Sequence, residues 1–413
     1  MPQFHPIAEI LSEVVSKPEM NSLSNLEFPT PERRGAFVGN RVPQSGISTL
    51  TSVGARALLA LFDGKEMLFS RRIRLNGRGF HREGVSARRS VAALLGLHRL
   101  SESGEWQPFN LENIQAAILQ DTRWVKSIGD LGLLLRLAAE CGRPDRVASV
   151  STEFDFANAL TVFPDAREAR TTDLAFFLAG ISHARLACPS DLPDFTDVAV
   201  DAYRLLEANQ GTGGIFAHAG QPGFLQQPYS NRFGTFADQA HAIYALATFA
   251  RAFEIEEPLA DALNCANAVR DLQGELGQWW FLYDKRTSKV VNRYPVWSMH
   301  QDGLAPMALL ALEEATGPSF DEAIQKGLAW VEGRNELGVD LHDREHGTIW
   351  DSIEPRSRIR KAAMSLLGSD NPGEKLQIRY EARPDHLGWL LYAFARFGIA
   401  KGATGVRVAA AGG

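Results

Sequence analysis

Apolar residues recur every three or four positions along most of the chain. The spacing is clearest in Asp238–Phe253 and Asp302–Glu314, which are also rich in Ala and Leu, residues with high helix propensity. The pattern predicts an all-α protein. Around residues 58–70 (LLALFDGKEMLFS), a short pair of strands is an alternative interpretation.

The predicted helices fall into two alternating classes. In one class an acidic residue precedes a run of small and apolar residues; these starts are Asp130, Asp173, Asp238, Asp302 and Asp385, with a sixth similar helix near Ser86. Helices of the other class end in a polar residue followed by glycine and an aromatic or apolar residue, as in Gln210–Gly214–Phe216, Gln273–Gly277–Trp279 and Asn335–Gly338. This second signal returns about every 60 residues, which is typical of a repeat of helical hairpins.

Two alternating classes repeated about six times predict a closed (α/α)6 toroid, in which one class lines the centre and the other surrounds it. A closed ring also allows residues 51–400 to share one core instead of dividing into domains. Residues 1–50 are rich in Pro, Ser and Asn and are expected to form an irregular arm. The Gly- and Ala-rich residues 401–413 are expected to be a flexible tail.

If the inner helices run in one direction, their acidic first residues meet at one mouth of the barrel. Each carboxylate then either caps its own helix or faces a shared cavity. Asp385 and His386 combine a carboxylate with an imidazole at the last of these starts. His218 is a further candidate for the mouth, and His241 is either a site residue or a packed histidine.

The segment 279–302 contains the densest set of candidate site residues and is long for a structural connector. Either it forms part of a ligand site or its aromatic residues seal the end of the barrel. The residues concerned are Trp279, Trp280, Tyr283, Asp284, Arg293, Tyr294, Trp297, His300 and Asp302. Tyr229 and Arg232, in the loop before Asp238, are further candidates for binding substrate.

Residues 71–89 carry seven arginines, among them Arg82, Arg88 and Arg89. Arginine suits bidentate contact with carboxylate or phosphate, so the segment predicts an anionic substrate. The alternative is an exposed segment paired with the acidic excess of the chain. With 43 Lys and Arg against 49 Asp and Glu, the net charge of −6 argues against nucleic acid as a partner.

No stretch approaches the roughly 18 apolar residues of a membrane span, and the N-terminal residues lack the pattern of a signal peptide. We therefore expect a cytoplasmic protein without a membrane span. Cys141, Cys188 and Cys265 are widely separated and are expected to be reduced and mostly buried. Walker, Rossmann, HExxH and GxSxG motifs are absent from the sequence.

Two segments resemble known families. QGELGQW (273–279) is similar to the Q-W repeat of squalene and hopene cyclases, whose DxDD motif is absent here. WWFLYD (279–284), followed by YPVWSMHQDGLAPMALLALEEATG (294–317), resembles the C-terminal helical domain of glucuronyl C5-epimerases. The ring as a whole is similar to the α/α-toroid superfold, which includes six-hairpin glycosidases, sugar epimerases and terpenoid cyclases. A fold alone does not define a function.

We predict a carbohydrate-active enzyme that acts on an acidic sugar or glycan by acid/base chemistry, as an epimerase or a glycosidase. The predicted catalytic residues are Asp302, Asp238, His300 and Tyr283, with Trp279 and Trp297 as stacking platforms and the arginine-rich segment holding the anion. No cofactor is expected, although carboxylates at such a mouth can bind Mg²⁺.

Two alternatives stay open. One is a terpenoid cyclase or prenyltransferase that holds a prenyl diphosphate through Arg82, Arg88 and Arg89 and stabilises carbocations with aromatic rings. The other is a non-catalytic toroid scaffold. The scaffold predicts that Asp238, Asp302 and His300 do not converge.

Overall fold

The structure, a computed structural model, describes residues 44–76, 79–104, 108–163, 166, 168–188, 194–220, 230–356 and 375–395. Twelve helices of 10 to 18 residues account for most of these ranges. In chain order they are α1 (Gln44–Leu61), α2 (Ala87–Glu102), α3 (Leu111–Gln120), α4 (Ile128–Glu140), α5 (Pro144–Glu153), α6 (Thr171–Ala187), α7 (Thr196–Glu207), α8 (Phe236–Phe253), α9 (Glu257–Asp271), α10 (Ala305–Thr316), α11 (Asp321–Val331) and α12 (Pro384–Phe394). Shorter helical turns are Thr122–Trp124, Phe156–Asn158, Ala159–Val162 and Met299–Leu304, the last running directly into α10.

The even-numbered helices form an inner ring and the odd-numbered helices surround it. Each inner helix packs against the next, from α2 through α4, α6, α8 and α10 to α12, and α12 closes the ring against α2. Outer helices pack on the ring, for example α7 on α6 and α9 on α8. The predicted (α/α)6 toroid is confirmed.

Burial explains why the two helix classes differ in sequence. Every residue of α6 from Asp173 to Ala184 is buried, whereas the outer helix α7 buries a single face that includes Val198, Ala202 and Leu206. A helix that is apolar on all sides belongs inside a protein, and an amphipathic one belongs on its surface. The apolar pattern therefore separates the inner helices from the outer ones.

Glycines allow two pairs of inner helices to approach at backbone distance. A Cβ atom at Gly132 of α4 would lie 2.3 Å from the carbonyl oxygen of Phe176 in α6, and one at Gly180 of α6 would lie 2.3 Å from the Gly132 carbonyl oxygen. In α12, a Cβ atom at Gly388 would lie 2.3 Å from the carbonyl oxygen of Ala92 in α2. Any side chain at these positions would push the helices apart.

Short antiparallel strands surround one end of the ring. They are β1 (Phe62–Asp63), β2 (Leu68–Asn76), β3 (Gly79–Val85), β4 (Phe233–Thr235), β5 (Leu282–Asp284), β6 (Lys289–Asn292), β7 (Val296–Trp297), β8 (His342–Asp343), β9 (Thr348–Ile349), β10 (Ser352–Pro355), β11 (Leu376–Arg379) and β12 (Glu381–Ala382). β2 pairs with β1, β3 and β12, and the other sheets are β4–β5–β6, β7–β10–β11 and β8–β9. Strands β3, β4 and β12 lead directly into the inner helices α2, α8 and α12.

The Q-W-like residues hold neighbouring outer helices together. The Gln210 side chain donates to the carbonyl oxygens of Gly214 at 3.0 Å and of Asp261 in α9 at 2.8 Å. Gln273 makes the equivalent bonds to Gly277 at 3.0 Å and to Ala323 in α11 at 2.9 Å. The glycine in each turn has a positive φ, 88° at Gly214 and 99° at Gly277, a conformation that favours glycine. The likeness to the cyclase repeat is thus explained by the construction of the ring.

Two local predictions change in detail. α1 continues to Leu61, and the strand pair is confined to β1 and the start of β2, where Phe62 pairs with Phe69. α1 begins at Gln44, so the last residues of the predicted irregular arm are helical because they complete the sixth hairpin. Residues 1–43 and 401–413 lie outside the described ranges. None of the helices in the described part of the chain is long and apolar enough to cross a membrane.

Candidate active site

The first residues of the inner helices meet at one end of the ring. Arg88, at the start of α2, bonds to carboxylates at the starts of both α4 and α6. Thr172 at the start of α6 bonds to Asp238 at the start of α8, and His386 at the start of α12 bonds to Asp302 just before α10. The inner helices therefore run in one direction, and their N-termini form a mouth.

Arg88 bridges two carboxylates at this mouth. Its Nη1 lies 2.8 Å from Oδ1 of Asp130, and its Nη2 lies 2.8 Å from Oδ1 of Asp173. Asp130 also completes a capping box with Ser127 at the start of α4. The Arg88 guanidinium lies 5.3 Å from the ring of Phe176, deeper in the barrel. Because two carboxylates already balance its charge, Arg88 alone does not make the mouth positive.

Asp238 is fully buried, and both of its oxygens accept hydrogen bonds. Oδ2 accepts from the backbone N–H and the hydroxyl of Thr235, which forms the capping box of α8. Oδ1 accepts from the Thr172 hydroxyl at 2.7 Å. Nδ1 of His218 lies 3.2 Å from both oxygens, and this carboxylate raises the pKa of His218. Asp238 therefore caps its helix and orients an imidazole.

Asp302 and His386 form a second pair of carboxylate and imidazole, and neither side chain is exposed. Nε2 of His386 lies 2.7 Å from Oδ1 of Asp302. Burial by itself lowers the pKa of His386, but the carboxylates of Asp302, Asp351 and Asp385, with Asp302 contributing most, together outweigh burial, and the pKa is raised. Nδ1 of His386 and Oδ2 of Asp302 have no hydrogen-bond partner among the described residues. Buried polar atoms without a partner are rare, so these atoms are candidates for contact with a bound molecule.

An aromatic layer lies one helical turn below the mouth. Phe176 in α6 packs against His241 in α8 with 4.5 Å between ring centroids, and Trp389 in α12 packs against His241 at 5.8 Å. Burial, with a smaller contribution from the Arg136 guanidinium, lowers the pKa of His241 to about 3. His241 is therefore neutral near pH 7, and one of its ring nitrogens can accept a hydrogen bond.

His300 connects the aromatic layer to the Asp302–His386 pair. Its ring lies 5.0 Å from the Phe236 ring and 6.5 Å from the Trp297 ring. Burial lowers its pKa to about 3, although a hydrogen bond with the Trp279 backbone opposes the shift. Nδ1 of His300 also lacks a hydrogen-bond partner within the described residues. The region below the mouth thus contains imidazoles with opposite pKa shifts.

Arg383 and Asp351 extend this group of polar side chains. Nη2 of Arg383 lies 3.2 Å from Oδ2 of Asp351, and its guanidinium lies 4.5 Å from the ring of Trp297, which is half-buried. Burial raises the pKa of Asp351 to about 6, although Arg383 and Arg379 oppose the shift. Nε of Arg383 has no partner in the described part of the chain. The group combines a cation, a carboxyl group and an aromatic face.

A buried network lies beneath the aromatic layer. Nε of Arg136 lies 2.6 Å from Oε1 of Glu140, and its Nη2 donates to the Tyr244 hydroxyl at 2.9 Å. The Tyr244 hydroxyl is 2.8 Å from Nε2 of His183 and 2.7 Å from the Tyr392 hydroxyl. Arg99 contacts both Tyr392 and Glu140. The network joins five inner helices (α2, α4, α6, α8 and α12) and forms the floor of the site.

The first part of segment 279–302 lies in the wall of the barrel. Trp279 and Tyr283 are fully buried. Trp279 stacks on Phe236 with 5.1 Å between ring centroids, and its indole nitrogen lies beside Gly327 of the outer helix α11. This burial favours the interpretation that these aromatic residues seal the barrel. The second part of the segment, Trp297 to Asp302, lies at the mouth.

Other candidates from the same region hold the connecting loops; they are Trp280, Asp284, Arg293, Tyr294 and Arg232. Arg232 pairs with Asp284 at 2.7 Å, and the Tyr294 hydroxyl donates to Glu336 at 2.9 Å. The Arg293 guanidinium lies 5.2 Å from the Trp280 ring. Tyr229 lies outside the described residues.

The arginine-rich segment forms the β2–β3 hairpin and the first turn of α2, and most of its arginines are paired. Arg72 and Arg74 both bind Glu381 in β12 and Glu83 in β3. This pairing matches the alternative in which these arginines balance the acidic residues of the chain.

The remaining candidates of the arginine-rich segment bind backbone carbonyls. Nε of Arg82 donates to the Ala60 carbonyl oxygen at 2.7 Å. Nη1 of Arg89 donates to the Arg71 carbonyl oxygen at 2.7 Å and lies 3.7 Å from Oδ1 of Asp385. Of this segment, Arg88 and Arg89 reach the mouth.

Sequence reasoning did not select Asp351, Arg383 or Trp389, and it left His241 open. His241 follows Asp238 by three residues, and Trp389 follows His386 by three; on a helix this spacing places both residues of a pair on one face. That signal could have identified them. Asp351 and Arg383 carry no such signal, because strand pairing and the ring closure bring them together. In the described ranges, no group of three or more His, Cys, Asp or Glu residues is arranged to hold a metal ion.

Solved structures share this fold, whereas no family model and no curated protein sequence matches the chain. A possible GH105 family member from Klebsiella pneumoniae subsp. pneumoniae aligns over 96% of this chain and 99% of its own, with 9% identity and a TM-score of 0.56. Cellobiose 2-epimerase from Bacillus thermoamylovorans aligns over 86% of this chain and 100% of its own, with 10% identity and a TM-score of 0.57. A mutant unsaturated glucuronyl hydrolase from Streptococcus agalactiae, complexed with dGlcA-GalNAc6S, aligns over 90% and 97%, with 12% identity and a TM-score of 0.56. The chain has the α/α-toroid fold of these proteins.

Proposed function

We propose that the protein is a carbohydrate-active enzyme that acts on an acidic sugar or glycan by acid/base chemistry at the mouth of the barrel. One observation carries the proposal: two buried imidazoles at the mouth have opposite surroundings. Nε2 of His386 lies 2.7 Å from the Asp302 carboxylate, which favours the protonated ring, whereas His241 lies between the rings of Phe176 and Trp389, which favour the neutral ring. A pair of groups held in opposite protonation states supplies an acid and a base at the same pH.

The surroundings of these imidazoles suit a sugar. The rings of Phe176 and Trp389 form an aromatic layer beside His241, and aromatic rings pack well against the apolar faces of sugar rings. The unpartnered buried atoms on His300, Asp302 and His386 include both nitrogen and oxygen. Sugar hydroxyls can donate to such atoms and accept from them. The names of structures with the same fold, which include a glucuronyl hydrolase and a sugar epimerase, also support this class of substrate.

In this proposal the roles differ from those assigned on sequence alone. His386 donates a proton to the substrate, and the Asp302 carboxylate holds the His386 ring in place. His241 accepts a proton from the substrate. Trp279 and Tyr283 support the wall, since both are fully buried. Trp297 and Arg383 are placed to contact an acidic sugar, because Nε of Arg383 is available to a carboxylate beside the half-buried Trp297 ring.

A prenyl diphosphate has less support as a substrate. The three arginines assigned to it already have partners: Arg88 holds two carboxylates, and Arg82 and Arg89 donate to backbone carbonyls. A diphosphate would have to displace these contacts. Prenyl diphosphates with Mg²⁺ therefore serve as the contrasting substrates in the test.

The test is an NMR screen of the purified protein in D2O with uronic acids and acidic oligosaccharides. Exchange of a substrate C–H for C–D reports proton abstraction, and new reducing ends report cleavage. His386→Gln and His241→Gln should each lower the rate about 10²- to 10⁴-fold, the usual contribution of a general acid or base. His98→Gln is the matched control, since His98 lies on α2 beside Glu102 and not at the mouth. Absence of turnover of any acidic sugar, or full activity in both variants, would overturn the proposal.

A further inference from the structure

We infer that His218 is a further catalytic residue: Nε2 of its ring donates a proton to a substrate oxygen at the mouth, while Asp238 orients the ring. The inference rests on the proposed function and adds a proton donor that is accessible from outside the cavity. It also changes the role of Asp238 from the predicted acid/base group to a positioning residue.

The backbone of His218 is fixed between two inner helices. Its N–H donates to the Phe233 carbonyl oxygen at 2.8 Å, just before α8, and its carbonyl oxygen accepts from the Thr171 N–H at 2.9 Å, at the start of α6. Nδ1 of the ring lies 3.2 Å from both oxygens of Asp238. Backbone and side chain together therefore define the orientation of the ring at the rim.

Nε2 of His218 makes no hydrogen bond within the described residues, and 45% of the side chain is exposed. The other imidazole that is paired with a carboxylate at the mouth, His386, is fully buried. Since Nδ1 of His218 is engaged by Asp238, Nε2 is the ring nitrogen that a substrate or water can reach. His218 is thus placed to meet a substrate as it enters and to exchange protons with water.

Asp238 itself is poorly suited to proton transfer. Its oxygens accept bonds from the Thr172 hydroxyl and from the hydroxyl and backbone N–H of Thr235. These donors and His218 hold its pKa below the usual range despite complete burial. A carboxylate with its lone pairs occupied stays ionised and acts through the group that it orients.

The charges around His218 favour its protonated form. The Asp238 carboxylate is the main cause of its raised pKa, burial and the Arg170 guanidinium oppose the shift, and Asp173 adds to it. In the reaction the Nε2–H bond breaks and an O–H bond forms on the substrate. The neutral ring keeps its Nδ1–H, which donates to Asp238, and Nε2 regains a proton from water because the side chain is exposed.

The test compares His218→Gln, Asp238→Asn and the control His98→Gln by kinetics and by NMR titration of the labelled histidines. We expect His218→Gln to lower kcat about 10²- to 10³-fold with little change in KM. Asp238→Asn should lower the NMR pKa of His218 and move the alkaline limb of the pH–rate profile to lower pH by the same amount, since a general acid works only when protonated. If His218 had only a structural role, the change in its NMR pKa would not be accompanied by an equal shift of the alkaline limb.

The outcomes separate the inference from the proposed function. If wild type turns over an acidic sugar and His218→Gln is equally active, the inference is wrong and the proposed function stands. If the pKa of His218 moves in Asp238→Asn without a shift of the alkaline limb, the inference is also wrong. If the wild-type protein turns over no acidic sugar, both the inference and the proposed function are wrong. Should Asp238→Asn fail to fold, His218→Gln decides alone, because it leaves the helix cap intact.

Discussion

Nε2 of His386 and Oδ1 of Asp302 lie 2.7 Å apart, in a pair that is completely buried. The carboxylate raises the pKa of His386 in the folded protein despite burial. A histidine with a raised folded-state pKa stabilises the fold below its unfolded pKa of 6.5, and that contribution is lost as the pH rises through the folded-state value. The pair therefore links stability to pH as well as supplying the proposed acid.

Asp302→Asn should remove this contribution. At pH 6 we expect the free energy of unfolding to fall by about 3–5 kcal/mol, the usual effect of breaking a buried ion pair. As the pH rises from 6 to 9, wild type should lose stability that the variant does not lose. Urea unfolding across this range measures both effects, with the exposed Asp271→Asn as control. Parallel pH curves for wild type and Asp302→Asn would contradict the prediction.

His241, His300 and His183 have the opposite linkage. Burial lowers the pKa of each to about 3 in the folded protein. Their neutral forms stabilise the fold above pH 6.5, and the stabilisation is lost as the pH falls towards about 3, because the unfolded chain binds protons first. The protein should therefore lose stability in mild acid.

His241→Phe tests this linkage at one position, since it replaces the imidazole beside Phe176 and Trp389 with an aromatic ring that does not titrate. Between pH 7 and pH 5, wild type should lose about 2 kcal/mol more unfolding free energy than the variant, the amount expected for one such histidine. Urea titrations at the two pH values measure the difference. His98→Gln should behave like wild type. Equal losses in wild type and His241→Phe would show that His241 is not held neutral.

Much of the fold could be predicted from local sequence patterns. An inner helix such as α6 is apolar on all sides, whereas an outer helix such as α7 is apolar on one face. The spacing of apolar residues along the sequence therefore separates the two classes. The acidic residues at the starts of the inner helices are a local signal as well, because Asp130 and Asp238 each complete a capping box in their own helix. The same alternation of the two classes predicts the ring.

The site was harder to predict because its contacts are remote in sequence. Asp351 meets Arg383 through the β7–β10–β11 sheet and the last inner helix, and no short motif encodes that meeting. Trp279 and Trp297 belong to the same aromatic-rich segment, yet one lies in the wall and the other at the mouth. Which layer a ring occupies depends on partners such as Phe236 and Gly327, which local composition does not reveal.

Arg136→Met tests the floor of the site. Arg136 is almost fully buried between Glu140 and the Tyr244 hydroxyl. Its removal leaves Glu140, whose pKa is held well below the usual range despite burial, with fewer cations nearby. We expect a loss of about 3–5 kcal/mol in unfolding free energy, measured by denaturant titration. Arg143→Met removes a largely exposed pair with Asp145 and should cost much less, because solvent screens an exposed ion pair. Similar losses of unfolding free energy in Arg136→Met and Arg143→Met would show that the buried network beneath the aromatic layer does not stabilise the fold.

Gly132→Ala tests whether the close approach of α4 and α6 sets the geometry of the mouth. The added methyl group would lie 2.3 Å from the Phe176 carbonyl oxygen and must separate the helices, at a cost of about 1–3 kcal/mol. Arg88 spans Asp130 and Asp173, one on each of these helices, with two bonds of 2.8 Å. A wider gap should break one of them, so the variant should lose turnover as well as stability.

The matched control is Gly64→Ala, in a turn where the nearest atom to a new Cβ, Cε1 of Phe62, is 3.9 Å away. It should change unfolding free energy by less than about 1 kcal/mol, because the residue there has room and the unfolded chain loses entropy. Denaturant titration and the NMR turnover assay measure both variants. If Gly132→Ala is as stable and as active as Gly64→Ala, the packing of α4 on α6 does not control the position of the two carboxylates. A loss of stability with unchanged turnover would show that the ring tolerates a wider mouth, because Arg88 would then keep its bridge by moving with the helices.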